Sequence, residues 1–242
     1  MGVPSPNFSA GRKGYQPEAV VIHIMEGTLG GTDSWFKNPL SGVSAHYGIG
    51  ATGEVHQYVQ EADTAWHTGR VHGPSWSLIK PAGNNQYVNP NYYTIGIEHE
   101  GNEKSKWTDA MYEGSSDVIA AVCGRWNIPL DRAHIIGHRE IYSLKTCPGL
   151  KVDLAKLVDI SRQKAGIVAP SDFVNKQGTV TSTTNLNLRG NAPSTASPLI
   201  RTVSAGTQLK YVGLTRLGEP VKKNGCWYKT AEGSWFWSGG VR

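Results

Sequence analysis

The chain has 242 residues, of which 38% are hydrophobic and 9% aromatic, and this composition fits a globular protein with one large domain or two unequal ones. No apolar run approaches the about 20 residues that a membrane-spanning helix needs, so we expect no membrane insertion. Three cysteines cannot form a disulfide framework, and the N-terminal residues lack the basic flank and apolar stretch of a secretory signal.

Charge is divided unevenly along the chain. Residues 1–165 carry 15 basic and 16 acidic side chains, a balance of −1, whereas residues 166–242 carry 9 and 3, a balance of +6. All eight histidines lie in the first part. We therefore predict two modules, a chemically active one over residues 1–164 and a basic one over residues 179–242, joined by a linker over residues 165–178.

The first module begins with an irregular arm and a strand. Residues 19–24 form a nearly continuous β-branched apolar run, which is typical of a strand covered on both faces, and His23 is its only ionisable group. Residues 28–38 predict a short helix that packs through Trp35 and Phe36.

A β-hairpin is predicted next, because the stretch SAHYGIGATGEVHQYV alternates around a Thr-Gly turn. The following loop, TAWHTG, is expected to bring Trp66 and His67 to a rim. Residues 70–92 are rich in Gly, Pro and Asn and predict a long surface loop beside it.

Residues 93–101 predict a strand that carries two carboxylates. Ile95 and Ile97 share one face, so Glu98 points to the other. By the same alternation Glu100 shares the face of Glu98, and the residues alone do not separate the two.

Two longer helices and an all-β segment complete the predicted elements. Thr108 is the expected N-cap of a helix that runs to about Trp126, and a last helix is expected from about residue 153 to 163. Residues 179–242 show short strands punctuated by glycines without helical periodicity, which predicts a small all-β barrel.

The stretch IIGHREIYSLKTCPG holds the strongest chemical signal. It brings an imidazole, His138, and a thiol, Cys147, into one turn-rich segment with Lys145. With His23 from the predicted central strand, two imidazoles and one thiolate would leave the fourth tetrahedral position of a zinc ion open, as catalytic sites require. A core histidine, a buried thiol and a surface lysine are the alternative interpretation of these residues.

Six segments in this order resemble one family: VVIHIMEGT, SAHYGIGATGEVHQYV, AWHTG, IGIEHEG, IIGHREI and KTCPG. They resemble the zinc-dependent N-acetylmuramoyl-L-alanine amidases of the peptidoglycan-recognition and phage-lysozyme type. The resemblance covers residues 19 to about 160. It implies an α/β catalytic domain, a mixed central β-sheet flanked by helices, with zinc at the ends of the central strands.

The resemblance also implies roles for individual residues. The zinc ligands are His23, His138 and Cys147; the general base is Glu98; and Lys145 lies near the scissile carbonyl. The expected substrate-binding residues are His67, Trp66 and His46; loop packing is the alternative for His67, and His46 is expected to support the site from behind. One departure is Ala45, where some members carry a tyrosine, and it favours Glu98 as the base.

Residues 179–242 resemble a bacterial Src-homology-3 domain, through LNLRGNAPST, GTQL, CWYK and SWFWSGGVR. Such domains commonly bind cell wall, so the combination resembles a phage endolysin or a prophage-derived autolysin. The expected partner is bacterial peptidoglycan, and the expected route is synthesis in the cytoplasm followed by release to the wall. A solvated basic surface without a partner is the alternative, and scattered basic residues argue against nucleic acid.

Three functions are compatible with the resemblance, the third being cleavage of a different cell-wall amide in the same groove. In the first, zinc-activated water cleaves the amide between the lactyl group of N-acetylmuramic acid and L-alanine. In the second, the chain is a non-catalytic peptidoglycan receptor that uses the same groove, and Cys147 argues against it because such receptors typically lack the cysteine ligand. The oligomeric state is not predicted.

Overall fold

A computed structural model describes residues 2–166 and 173–242. They divide into two compact units, one with the residues up to Ile128 and Ala133–Ser161, the other with Pro129–Arg132 and Arg162–Arg242. Of the predicted linker, residues 167–172 lie outside the described residues, and a strand begins at Val174.

The chain up to residue 166 alternates strands and helices, as predicted. The strands are β1 (Phe8–Ser9), β2 (Ala19–Ile22), β3 (Tyr47–Ile49), β4 (Val55–Gln57), β5 (Thr64–Ala65), β6 (Pro81–Gly83), β7 (Gln86–Tyr87), β8 (Thr94–His99) and β9 (Ile135–Gly137). The α-helices are α1 (Leu29–Lys37), α2 (Asp109–Trp126) and α3 (Leu154–Lys164). None of the helices in the described ranges is long and apolar enough to cross a membrane.

Five of these strands form the central sheet in the order β4-β3-β8-β2-β9. Strand β2 runs parallel to β8 and β9, and β3 runs parallel to β8, whereas β4 pairs with β3 in the predicted antiparallel hairpin. All four residues of β2 are buried, because β-branched side chains fill both faces of a covered parallel strand. The carboxyl ends of β2, β8 and β9 meet at one edge of this sheet.

The mixed α/β fold is therefore confirmed, and so are the helix boundaries within one or two residues. The Thr108 side chain accepts a hydrogen bond from the Met111 N–H, and Asn127 ends α2 in the left-handed conformation at φ 56°. The packing predicted for α1 is half wrong: Phe36 is buried, but Trp35 is 54% exposed. Residues 70–92 are mostly a loop, with the exposed strands β6 and β7 forming a small hairpin within it.

The second unit contains one six-stranded antiparallel sheet. Its strands are β10 (Val174–Thr181), β11 (Leu186–Arg189), β12 (Leu199–Val203), β13 (Gln208–Thr215), β14 (Trp227–Lys229) and β15 (Trp235–Trp237). They lie in the order β10-β13-β14-β15-β11-β12 around a core of Leu186, Leu188, Val203, Leu209 and Phe236. The all-β character is confirmed, and the Src-homology-3 resemblance stays a prediction.

Candidate active site

The edge where the parallel strands end brings together three metal-ligating side chains. His23 follows β2, His138 follows β9, and Cys147 comes from the loop after β9. One ligand atom of each lies within 4.8 Å of the others, and the Nδ1 of His23 is 3.9 Å from the Sγ of Cys147. Ligands of a tetrahedral zinc ion are about 3.5 Å apart, from bond lengths of about 2.0–2.3 Å, so the spacing fits such an ion.

The protonation states of these ligands also fit a metal. Burial, together with the neighbouring charge of His138, lowers the pKa of His23 well below its ordinary value. Burial lowers the pKa of His138 to about 4, so both imidazoles are neutral as metal ligands must be. Burial also raises the pKa of the Cys147 thiol to about 12, and only a bound cation would convert it to the ligating thiolate.

Glu98 lies beside the three ligands. Its Oε1 is 4.0 Å from the Nδ1 of His23, and within the described chain its buried Oε2 has no hydrogen-bond partner. Burial raises the pKa of Glu98 to about 8, against the opposing charge of Lys145. The rival carboxylate Glu100 instead accepts a hydrogen bond from the N–H of Ala51. A carboxylate with a free oxygen and a pKa near neutrality is suited to proton transfer.

A cavity of about 220 Å³ opens above these three side chains. Lys145 is exposed and lines this cavity and two neighbouring ones. Trp66 is half-buried at its edge, where its indole N–H donates to the Ser9 hydroxyl. Trp35, which sequence reasoning placed in the core, lines the same cavity.

The two remaining predicted residues differ in position. The ring of His67 lines the cavity but is only 8% exposed, and both of its nitrogens contact protein atoms, the Nε2 of His23 and the Oγ1 of Thr94. His46 is fully buried, and its Nδ1 accepts a hydrogen bond from the N–H of Gly96. His46 therefore supports the sheet behind the site and presents no surface to a ligand.

Sequence reasoning missed Asn91. It belongs to the segment predicted as a surface loop, yet it is only 5% exposed. Its Oδ1 accepts hydrogen bonds from the backbone N–H groups of His67 and Thr68 and from the Thr68 hydroxyl. No local signal distinguishes this asparagine from the others in a segment rich in Asn, Pro and Tyr.

Comparisons with known proteins identify the family of this chain. Residues 13–150 match the family described as N-acetylmuramoyl-L-alanine amidase. The chain is 37% identical over 124 residues to N-acetylmuramoyl-L-alanine amidase A of Achromobacter lyticus, a match that covers 50% of this chain and 58% of that protein. It is 30% identical over 188 residues to the 1,6-anhydro-N-acetylmuramyl-L-alanine amidase AmpD of Enterobacter cloacae, covering 70% of this chain and 91% of AmpD.

Among solved structures, the crystal structure of a Se-Met AmpD derivative is similar, with a TM-score of 0.53 and 27% identity. The similarity covers 66% of this chain and 93% of that one, and it supports the α/β assignment of the first unit. Because the family match extends over more than half of the sequence, this chain belongs to the N-acetylmuramoyl-L-alanine amidase family.

Proposed function

We propose that this protein is a zinc-dependent N-acetylmuramoyl-L-alanine amidase. Its substrate is peptidoglycan, and the bond it cleaves joins the lactyl group of N-acetylmuramic acid to the L-alanine of the stem peptide. The observation that carries the proposal is the convergence of His23, His138 and Cys147 in an open cavity beside Glu98, whose Oε2 has no hydrogen-bond partner among the described residues. Two neutral imidazoles and one thiolate suit zinc and leave one position for water.

The amide resists hydrolysis because its carbonyl is a weak electrophile and water a weak nucleophile. A zinc ion held by His23, His138 and Cys147 would supply Lewis acidity and lower the pKa of its water to about 7. Glu98 would accept the proton of the attacking water and deliver it to the leaving amine of L-alanine.

Lys145 would stabilise the negative charge that develops on the carbonyl oxygen. It reaches the cavity from the exposed turn before Cys147, and one well-placed donor of this kind contributes about 3 kcal/mol to the stability of the transition state. Glu98 and Lys145 thus act on opposite parts of the reaction, proton transfer and charge stabilisation.

Purified cell walls with and without a chelator test the proposal. We expect new N-terminal L-alanine, measured by dinitrophenylation, with no new reducing sugar ends. Loss of this product after chelation and its return with Zn²⁺ would support zinc dependence. Wall binding without any new chain ends would favour the receptor function instead, and a product with a different new N-terminus would move the cleaved bond elsewhere in the peptide.

We also propose that residues 179–242 form a Src-homology-3-like domain that holds the enzyme on the wall, as in a lytic endolysin or an autolysin. The +6 charge over residues 166–242 suits a polyanionic wall and would raise the local concentration of enzyme on an insoluble substrate. The protein would be made in the cytoplasm and reach the wall after release.

Sedimentation of the full chain with purified walls at increasing salt tests this second proposal. We expect binding to weaken as salt rises, because the attraction is screened within about 8–10 Å at physiological ionic strength. A charge-reduced variant, Lys222→Ser with Lys223→Ser, should sediment less at low salt and keep its activity on soluble fragments. Equal sedimentation of variant and parent at every salt concentration would remove the electrostatic part of the proposal.

A further inference from the structure

The loop Trp66–Thr68 supports both histidines of the metal site. His67 Nδ1 lies 3.0 Å from the Nε2 of His23, and the carbonyl oxygen of Thr68 lies 2.9 Å from the Nε2 of His138. The two successive residues His67 and Thr68 therefore each contact the Nε2 of one imidazole, His67 that of His23 and Thr68 that of His138. The sequence motifs did not predict these contacts for His67 and Thr68.

Hydrogen bonds behind the loop fix where the protons lie. The carbonyl oxygen of Pro90 can only accept, so the Thr94 hydroxyl 2.7 Å away donates to it and leaves its own oxygen as an acceptor. That oxygen is 3.2 Å from the Nε2 of His67, which must then carry the ring proton. The Nδ1 of His67 is consequently an acceptor, and the Nε2 of His23 must donate to it.

The same reasoning gives the tautomer of the second ligand. The Thr68 carbonyl accepts, so the Nε2 of His138 carries the proton. In both His23 and His138 the Nδ1 is left with a free lone pair. The Nδ1 of His23 lies 3.9 Å from the Sγ of Cys147, and in each ring the nitrogen without a proton is the one that can bind a metal together with this sulfur.

Two further residues hold the loop in this position. The Oδ1 of Asn91 accepts three hydrogen bonds, from the N–H of His67 at 3.1 Å and from the N–H and hydroxyl of Thr68 at 2.9 and 2.8 Å. Gly96 of β8 leaves room for the His67 ring, because a Cβ at Gly96 would lie 2.5 Å from the ring. The ring can pack directly on the strand only because this position lacks a side chain.

We propose that His67 and Asn91 are positioning residues of the metal site, which fix the tautomers of His23 and His138 and preorganise their Nδ1 atoms for zinc. The inference rests on the proposed zinc site, and it assigns His67 a role through His23 in place of a substrate contact. An outer hydrogen-bond partner of a ligating histidine typically contributes 10–100-fold to metal affinity.

Zinc affinity, measured by competition with a chromophoric chelator, tests the proposal independently of catalysis. His67→Phe keeps a ring of similar size and removes the acceptor, so we expect it to weaken zinc binding by about 10–100-fold. His67→Asn returns an acceptor near the position of Nδ1, and we expect affinity within about threefold of the parent. Asn91→Leu removes the acceptor that holds both His67 and Thr68, the residues that contact the Nε2 atoms of His23 and His138. It should therefore weaken zinc binding at least as much as His67→Phe.

His56→Phe is the matched control. His56 is also a buried histidine of the central sheet with both nitrogens bonded, to Asp33 and Glu54, but it contacts none of the metal ligands. We expect its zinc affinity to equal that of the parent. Thermal unfolding of each metal-free variant, and the visible spectrum of its Co²⁺ complex, separate a change at the metal from a loss of folded protein.

The possible results discriminate between the two proposals. Parental affinity in His67→Phe, or equal weakening in His67→Asn and His67→Phe, overturns the positioning role. Zinc binding with the expected variant order but without amidase activity leaves the positioning role intact and removes the proposed reaction. A parent chain that binds no zinc overturns both.

Discussion

Two carboxylates of the first unit, Glu61 and Glu98, have opposite surroundings. Glu61 accepts hydrogen bonds from the Tyr47 hydroxyl, the Arg125 guanidinium and the Trp126 indole. Burial alone would raise its pKa, but these donors outweigh burial and hold the pKa of Glu61 below its ordinary value. Glu98 is half-buried, its Oε2 is buried without a hydrogen-bond partner within the described chain, and its pKa is raised to about 8.

The comparison distinguishes a structural carboxylate from a reactive one. A carboxylate whose lone pairs are satisfied stabilises the fold, and breaking its network leaves buried donors without acceptors. A carboxylate with an unsatisfied oxygen costs folding free energy, and in a cavity beside the candidate metal ligands it retains a lone pair for a proton. Sequence position does not separate the two, since each glutamate has one apolar and one polar neighbour, Ala62 and Gln60 for Glu61 and Ile97 and His99 for Glu98.

The largest expected effect is on catalysis. Glu98→Gln keeps the size of the side chain and removes its basicity, so we expect kcat/KM to fall by about 10²–10⁴-fold. Zinc binding should persist, and the free energy of unfolding should stay equal or rise, because the cost of keeping Glu98 protonated in the folded state is removed. Release of L-alanine N-termini and urea unfolding measure the two quantities.

Glu100→Gln is the control for this change, because its side chain bonds to the backbone of Ala51 and not to the cavity. It should retain activity close to that of the parent. A Glu98→Gln enzyme that is as active as Glu100→Gln would show that Glu98 is not the base.

The second effect is on stability. Glu61→Ala leaves the Tyr47 hydroxyl and the Trp126 indole without their acceptor, and we expect a loss of about 2–4 kcal/mol in the free energy of unfolding. The Arg125 side chain is 52% exposed and can turn to water, which keeps the loss from being larger. Tyr47→Phe removes one donor only and should cost about 1 kcal/mol.

Activity in these two variants should be near the parental value at temperatures where they are folded. Urea midpoints measure the stability of each variant. The ratio of the stability lost in Tyr47→Phe to that lost in Glu61→Ala shows how much of the network's contribution depends on the Tyr47 hydroxyl. A Glu61→Ala variant with parental stability would mean that the three donors find other acceptors.

The smallest effect is a difference in pH dependence, measured on metal-free protein. Because the pKa of Glu98 is raised on folding, the folded state holds its proton up to about pH 8, while the unfolded state loses it near pH 4. Ionisation of Glu98 therefore lowers stability as pH rises between these values. The stability advantage of Glu98→Gln over the parent should grow from pH 5 to pH 8.

The contribution of Glu61 to stability changes with pH in the opposite direction, because the pKa of Glu61 is lowered in the folded state. Its contribution is present above the ordinary glutamate pKa and is lost as pH falls through the folded value. The penalty of Glu61→Gln should thus be constant from pH 5 to pH 8 and shrink in more acid solution. Urea unfolding of both variants across this range checks the two slopes, and parallel slopes would contradict the distinction between the carboxylates.

Local sequence pattern was sufficient to predict much of the first unit. The β-branched run before His23 could bury both faces only as a covered strand, and Thr108 could cap only the helix that follows it. Strand alternation directed Glu98 away from Ile95 and Ile97. Each of these inferences concerns a residue and its own element, where a fixed period or cap chemistry dictates the answer.

Contacts between distant segments required the tertiary structure. Alternation predicts that Glu98 and Glu100 are equivalent, but β8 ends at His99, so the period no longer applies to Glu100. Trp35 and Phe36 are neighbours in one helix, and only the cleft beside α1 decides that Trp35 is exposed.

The sequence by itself determined the order of strands and helices, the all-β character of the C-terminal segment and the residue types that can hold a metal. Only the tertiary structure decided that the ligating atoms meet within 4.8 Å, and that His67 and Asn91 lie behind them while His46 is buried. The physical reason is that periodicity fixes a side chain's direction from its own backbone. The register of parallel strands and the course of the loops set which side chains from distant segments meet.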